Sequence, residues 1–179
     1  MFRFWSPVYQ SHFYTTSIPE RENLINNQAD LWTYEGIAYR VYAPGDQPPN
    51  ARPVYRFWSD TYKAYFYTIR ENERDYVLAH WPAWNQYQGI VFYAFKNSGP
   101  TPVFRFWGPS LTTHFYTVDV DERDYVIATW PDIWQYEGVA WYGYAISPPV
   151  ITLPNPVPFG LQNAPYNLQI PAEGDNLTF

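Results

Sequence analysis

The chain has 179 residues with a net charge of −6 and a sequence pI near 4.9, which argues against phosphate backbones as partners because nucleic-acid affinity comes largely from Lys and Arg. Aromatic residues reach 22% against 16% charged, so much aromatic surface meets solvent or a partner, where Tyr and Trp combine an apolar body with a polar edge. Cysteine is absent, so no disulfide contributes and thiol chemistry is excluded. No apolar run nears the roughly 20 residues that cross a bilayer. Met1 leads directly into Phe2-Arg3-Phe4-Trp5 without the features of a secretory signal, so the expectation is a soluble protein, cytoplasmic or released by another route.

Taken in order, the chain writes one pattern three times, at residues 2–43, 54–96 and 103–145. Arg3, Arg56 and Arg105 head the copies, and Tyr34, Tyr87 and Tyr136 each follow 31 residues later. All length variation falls in the Pro/Gly-rich connectors Ala43 to Pro53 and Lys96 to Pro102, as in a repeat array. Each copy opens with an aromatic strand such as Val54-Tyr55-Arg56-Phe57-Trp58. A polar loop then leads into His12-Phe13-Tyr14-Thr15, Tyr65-Phe66-Tyr67-Thr68 or His114-Phe115-Tyr116-Thr117, which makes a hairpin.

Cap-forming and acidic residues follow: Thr16 or Ser17 with Pro19-Glu20, then Glu71 to Glu73, then Asp119 with Asp121-Glu122. They predict short helices over Glu20 to Asn26, Glu71 to His80 and Asp121 to Thr129. Trp81-Pro82 and Trp130-Pro131 stop the later two. Tyr34-Glu35-Gly36, Tyr87-Gln88-Gly89 and Tyr136-Glu137-Gly138 open a third strand, whose glycine predicts a bulge or a close approach of another group. The expected fold is β-rich α+β: three pseudo-equivalent β-β-α-β repeats over residues 1–145, closed with pseudo-three-fold symmetry, propeller- or trefoil-like. A short open stack is the alternative. Residues 146–179 are expected to form an extended Pro-rich tail packed on the body or on a neighbouring chain, giving a route to homo-oligomers.

Motifs for catalysis are missing: no HExxH, phosphate-binding loop or GxSxG occurs. Two of three histidines, His12 and His114, are repeat copies, and a copied residue suits binding better than a single reaction centre. Glu35 and Glu137 are the acids to weigh for glycoside hydrolysis, but Gln88 stands for them in copy two. No ligand-spaced cluster points to a metal, Asp119, Asp121 and Asp124 reading as a helix start; no cofactor is expected.

The repeat arginines must be satisfied on a half-buried strand by a carboxylate or carbonyl, or else donate to a ligand. A second set, Arg21, Arg74 and Arg123, recurs 18 residues on. Trp5, Trp58 and Trp107 end the first strand before a polar loop, where an indole face can stack on a sugar ring; Trp32, Trp84 and Trp134 precede the YEG segment. Copies one and three carry His12 with Glu35 and His114 with Glu137, while copy two changes both, to Tyr65 and Gln88. This paired change predicts that the two positions are neighbours in each unit.

The string R-F-W…HFYT…ER…W-x-YEG-(I/V)-A resembles an aromatic-rich repeat family of uncharacterised function found in bacterial and fungal proteins, some copies appended to cell-wall hydrolases. The likeness covers Phe2 to Ala145 and departs at Tyr65 and Gln88, and at Trp5, Trp58 and Trp107, where the family more often has Tyr. It implies a module for glycans or cell-wall polysaccharide. The expected function is non-catalytic, lectin-like carbohydrate binding at up to three sites, through Trp5, His12, Glu35; Trp58, Tyr65, Gln88; and Trp107, His114, Glu137. A structural or protein–protein interaction module and a glycan-acting enzyme are the alternatives.

Overall fold

The computed structural model describes residues 1–146 and the two short strands Val150–Ile151 and Ala172–Glu173. In each copy an aromatic strand pairs with a second strand across a hairpin loop, a helix follows, and a third strand returns to the other side of the first. The first unit is thus β1 (Phe2–Ser6), β2 (Ser11–Thr15), α1 (Ile18–Asn27) and β3 (Thr33–Ile37). The second is β4 (Arg52–Ser59), β5 (Ala64–Thr68), α2 (Glu71–His80), a 3-10 turn Pro82–Trp84 and β6 (Gln86–Ala94). The third is β7 (Thr101–Gly108), β8 (Thr113–Thr117), α3 (Val120–Thr129) and β9 (Gln135–Gly143). The sheets run β2-β1-β3, β5-β4-β6 and β8-β7-β9, antiparallel throughout. The β-β-α-β order is as expected, although β4 and β7 start inside the Pro-rich connectors, with Pro53 and Pro102 near the strand ends where a missing N–H costs least.

Local chemistry sets the helix starts. The Ser17 hydroxyl accepts from the Glu20 N–H at 3.3 Å, and the Asp119 carboxylate accepts from the N–H groups of Asp121 and Glu122 at 2.8 and 3.2 Å. Arg70, at the same position of the second unit, offers no side-chain cap. Thr15, Thr68 and Thr117 each end the preceding strand and accept from the N–H two residues on, at 2.9, 3.0 and 3.0 Å, which turns the chain into the helix.

Two tiers of core follow from the repeat. Each unit closes its own cluster of strand phenylalanines beneath the helix: Phe4, Phe13, Leu24 and Trp32; Phe57, Phe66, Val77 and Trp84; Phe106, Phe115 and Val126, with Trp134 packed against the last. The inner residues of all three units share a further core, in which Tyr39, Phe92 and Trp141 occupy one repeat position and Tyr14, Tyr67 and Tyr116 another. The tyrosines bond in a cycle. The hydroxyls of Tyr14, Tyr67 and Tyr116 donate to the carbonyls of Tyr116, Tyr14 and Tyr67 at 2.9, 2.9 and 2.8 Å, and each accepts a backbone N–H in return. Every unit therefore touches both others.

The sheets stay separate and form no closed barrel, so the trefoil-like form of the expectation is corrected. The reason lies in how the units meet: β2, β5 and β8 through side chains and phenol-to-backbone bonds, and the opposite ends through single antiparallel bridges, Arg40–Tyr144, Tyr42–Tyr93 and Phe95–Tyr142, that do not extend into a shared ladder. Val150–Ile151 (β10) pairs with Ala172–Glu173 (β11) in a separate unit. The expected packing of the Pro-rich tail, and any oligomer formed through it, lies outside the described residues. Among the described residues no helix is long and apolar enough to cross a membrane.

Candidate functional site

The glycine of the third strand sets the geometry. Gly36, Gly89 and Gly138 have φ of +100°, +79° and +88°, in the left-handed region that favours glycine. An added Cβ would meet nothing within 4 Å at any of them, so the bulge reading holds and the close-approach reading does not. In the first unit Arg3 pairs with Gly36 and Phe4 with Tyr34, leaving Glu35 as the extra residue; in the third, Arg105 pairs with Gly138 and Phe106 with Tyr136, leaving Glu137. A bulge re-aims the side chain it strands. Both carboxylates turn onto the strand arginine, with Arg3 Nε 2.9 Å from Glu35 and Arg105 Nε 2.8 Å from Glu137. In the second unit Arg56 Nε donates to Gln88 at 2.5 Å.

The outer edge of each guanidinium crosses to another unit. Arg3 donates to Glu122 at 3.2 Å, Arg56 grips Glu20 with both terminal nitrogens at 3.0 and 2.5 Å, and Arg105 does the same to Glu73 at 3.0 and 3.1 Å. Arg3 and Arg105 therefore bind carboxylates both inside and outside their own units, while Arg56 has an amide oxygen inside and a carboxylate outside. In the sequence Glu20, Glu73 and Glu122 read as helix-start residues. Their constant position, 17 residues after each arginine, was the available signal.

The expected neighbours do meet: His12 Nε2 lies 3.5 Å from Glu35 and His114 Nε2 lies 3.4 Å from Glu137. Each histidine faces the strand-end tryptophan across the hairpin, with ring centroids 4.7 Å apart for Trp5–His12 and Trp107–His114, and 4.6 Å for Trp58–Tyr65. Burial pulls the His114 pKa below its ordinary value, against the raising effect of Glu137. Burial pushes the carboxyls of Glu35 and Glu137 up, but the adjoining histidine and arginine outweigh it, so both lie below the usual range. Tyr65, in the equivalent place, is pushed up to about 12, chiefly by burial. The Nδ1 atoms of His12 and His114 are buried with no protein partner.

Clefts between units result, three of them bearing on the expected residues. The one between the first and third units is 390 Å³ and has Arg3, His12 and Glu35 as floor with Trp5, Tyr125 and Trp130 as walls. Between the second and third, a 370 Å³ cleft is lined by Trp81, Trp84 and Trp107. Between the first and second, Tyr65 and Trp32 leave 160 Å³. Trp58, beside that third cleft, turns its indole N–H to Asp60 at 2.9 Å. A further 280 Å³ between the first and second units is lined by Glu20, Arg56, Ile90 and Val91, and a further 180 Å³ between the first and third by Arg3, Glu35, Val118 and Glu122.

The most open indoles are not the ones expected. Trp5, Trp58 and Trp107 are half-buried, whereas Trp81 and Trp130, which cap the C-termini of α2 and α3, are 46% and 42% exposed. The reason is position, since strand-end indoles are covered by the cross-strand histidine or tyrosine while helix-end indoles project past the last turn. Arg21, Arg74 and Arg123 lie over the rings of Phe2, Tyr55 and Phe104 at 4.6, 4.5 and 4.5 Å, so that set packs within its units. Among the described residues no group of three or more His, Cys, Asp or Glu is placed to hold a metal ion.

The fold and clefts define an aromatic-rich domain of three tandem units. The chain belongs to the family described as Domain of unknown function (DUF5648), whose model matches residues 1–144. No curated protein and no solved structure matches the chain.

Proposed function

We propose that this protein is a non-catalytic, lectin-like carbohydrate-binding domain whose three units stand as blades about a pseudo-three-fold axis. One observation carries the reading: the 390 Å³ cleft joins indole and phenol walls to a polar floor of Arg3, His12 and Glu35. Sugars ask for that combination, an aromatic face for their C–H surface and fixed donors and acceptors for their hydroxyls. The arginine is held by two glutamates, so the floor is pre-organised and loses little freedom on binding. Glycans or cell-wall polysaccharide are the proposed partners, with weak single sites strengthened by multivalency. A glycan array probed with wild type and Trp5→Ala tests it. Binding by wild type and its loss in a variant that still melts cooperatively supports the reading; an empty array, or a variant that binds equally, contradicts it.

A second reading rests on α2 and α3, which expose Tyr76, Leu78 and Trp81, and Tyr125, Ile127 and Trp130. Such faces suit a protein-interaction module. Sedimentation of wild type and Leu78→Lys separates it, since only an apolar contact between copies yields an oligomer that the charge dissolves.

A further inference from the structure

The three clefts differ, and they differ together. In each, strand residues of one unit face a helix of another: α3 faces the first unit, α1 the second and α2 the third, as the arginine–glutamate pairs record. Tyr76 on α2 with its cap Trp81, and Tyr125 on α3 with its cap Trp130, stand where the first unit has Asn23 and Gln28. The polar α1 thus faces the Tyr65/Gln88 strands, while both aromatic helices face strands with His and Glu. The changes that set one repeat apart therefore fall in one cleft, although they come from two units. That cleft is narrowed to 160 Å³, with the Tyr65 ring 4.7 Å from Phe13 and occupying its floor, and the second space between the same units, 280 Å³ over Glu20 and Arg56, is lined by no aromatic side chain.

Of the other two, only the cleft between the first and third units opens onto its polar floor. The Arg3 side chain is 21% exposed there, against 8% and 7% for Arg56 and Arg105. In the cleft between the second and third units Tyr76 stacks on His80 at 4.4 Å, and the space lies over tryptophans and not over Arg105. The open floor has one guanidinium, Arg3, between two carboxylates, Glu35 and Glu122, so negative charge exceeds positive. Neutral hydroxyls can donate to the spare lone pairs of those carboxylates, whereas a ligand carboxylate would meet like charge.

Resting on the carbohydrate reading, we infer that the cleft between the first and third units is the principal sugar site, with Tyr125 and Trp130 of α3 as its stacking wall, and that it takes neutral or amino sugars and rejects acidic ones. The cleft between the second and third units is a weaker copy, and the one between the first and second is blank.

Calorimetric titration with chitotetraose, cellotetraose and trigalacturonate tests this on wild type, Trp130→Ala, Trp81→Ala and Gln28→Ala, each first shown to melt as wild type does. A neutral tetrasaccharide is expected to bind, at least tenfold more weakly to Trp130→Ala, less than threefold more weakly to Trp81→Ala and equally to Gln28→Ala, with no heat from trigalacturonate. Equal binding by Trp130→Ala, a loss in Gln28→Ala matching that of Trp130→Ala, or trigalacturonate binding as tightly as the neutral probes overturns the site or its charge preference while leaving carbohydrate binding standing. Silence from all three probes overturns the inference, and an array empty as well removes the carbohydrate reading with it.

Discussion

The buried tyrosine cycle and the outer clefts are built from the same repeat, yet only the first is the same in every copy. Tyr14, Tyr67 and Tyr116 are identical and each makes the same pair of bonds to the next unit. At the clefts Tyr65 holds the position of His12 and His114, and Gln88 that of Glu35 and Glu137. The difference teaches which constraint acts where. The cycle of tyrosine bonds needs every unit to satisfy the same buried backbone groups, because an orphaned one has no water to turn to. A cleft wall is free to change so long as its arginine stays paired, and Gln88 with Glu20 keeps Arg56 paired where Glu35 is missing.

The largest effect should come from breaking the cycle. Tyr67→Phe removes one hydroxyl and orphans the Tyr14 carbonyl and N–H together, so a loss of about 2–4 kcal/mol in urea unfolding is expected, and a like loss for Tyr14→Phe and Tyr116→Phe. Unequal losses would show that the three units do not share the load.

The clefts should break less evenly. Arg105→Met leaves Glu73 and Glu137 without their shared cation in a largely buried place and should cost about 3 kcal/mol. Arg3→Met, which removes a side chain that is 21% exposed where Arg105 is 7%, should cost about 1 kcal/mol. Equal costs would contradict the difference in exposure between those two floors.

The two regions should also fail at opposite ends of the pH scale. Burial raises the pKa of Tyr14, Tyr67 and Tyr116, so the fold prefers their neutral form, and stability should fall as pH rises past about 10, where the unfolded chain ionises and the fold does not. In acid the sign reverses. His114 is held below its ordinary pKa, so below about pH 6.5 the unfolded chain takes up a proton that the fold refuses. Glu20, Glu35 and Glu137 are held low as well, and their contribution, full above about pH 4.3, is lost as pH falls through their folded values. Denaturation across pH should show both flanks, and His114→Gln should flatten the shoulder near pH 6 while leaving the alkaline flank unchanged.

The smallest effects lie in the backbone. Gly138→Ala should cost about 1 kcal/mol at a φ of +88° although nothing blocks the methyl group. Thr112→Gly should gain a few tenths of a kcal/mol, about 0.5, because a β-branched residue sits there at φ +50°.

The units, their element order and their glycine bulges were legible because each depends on spacing within one copy: aromatic strand, cap, helix, proline stop, YEG. The His–Glu pairing was legible for another reason. The second copy changes both residues and so reported a contact without a structure. What stayed hidden crosses between copies. Glu20, Glu73 and Glu122 looked like ordinary helix-start acids, since a single unit has no use for them until the next arginine arrives. Tyr125 falls inside the helix of its own unit and Trp130 reads as its stop, and the two become a cleft wall only beside Trp5 and His12. The direction of the cycle, which strand faces which helix, is not written in any one copy.

The nine tryptophans offer the most direct measurement. Their indole N–H signals, followed by NMR while chitotetraose is added, should shift first and furthest at Trp5, Trp130 and Trp134, with Trp81 and Trp107 later and Trp32 and Trp58 still. Shifts led by Trp32 and Trp58, or nine signals that do not move while the sugar is bound, would contradict the assignment of the ligand to the cleft between the first and third units.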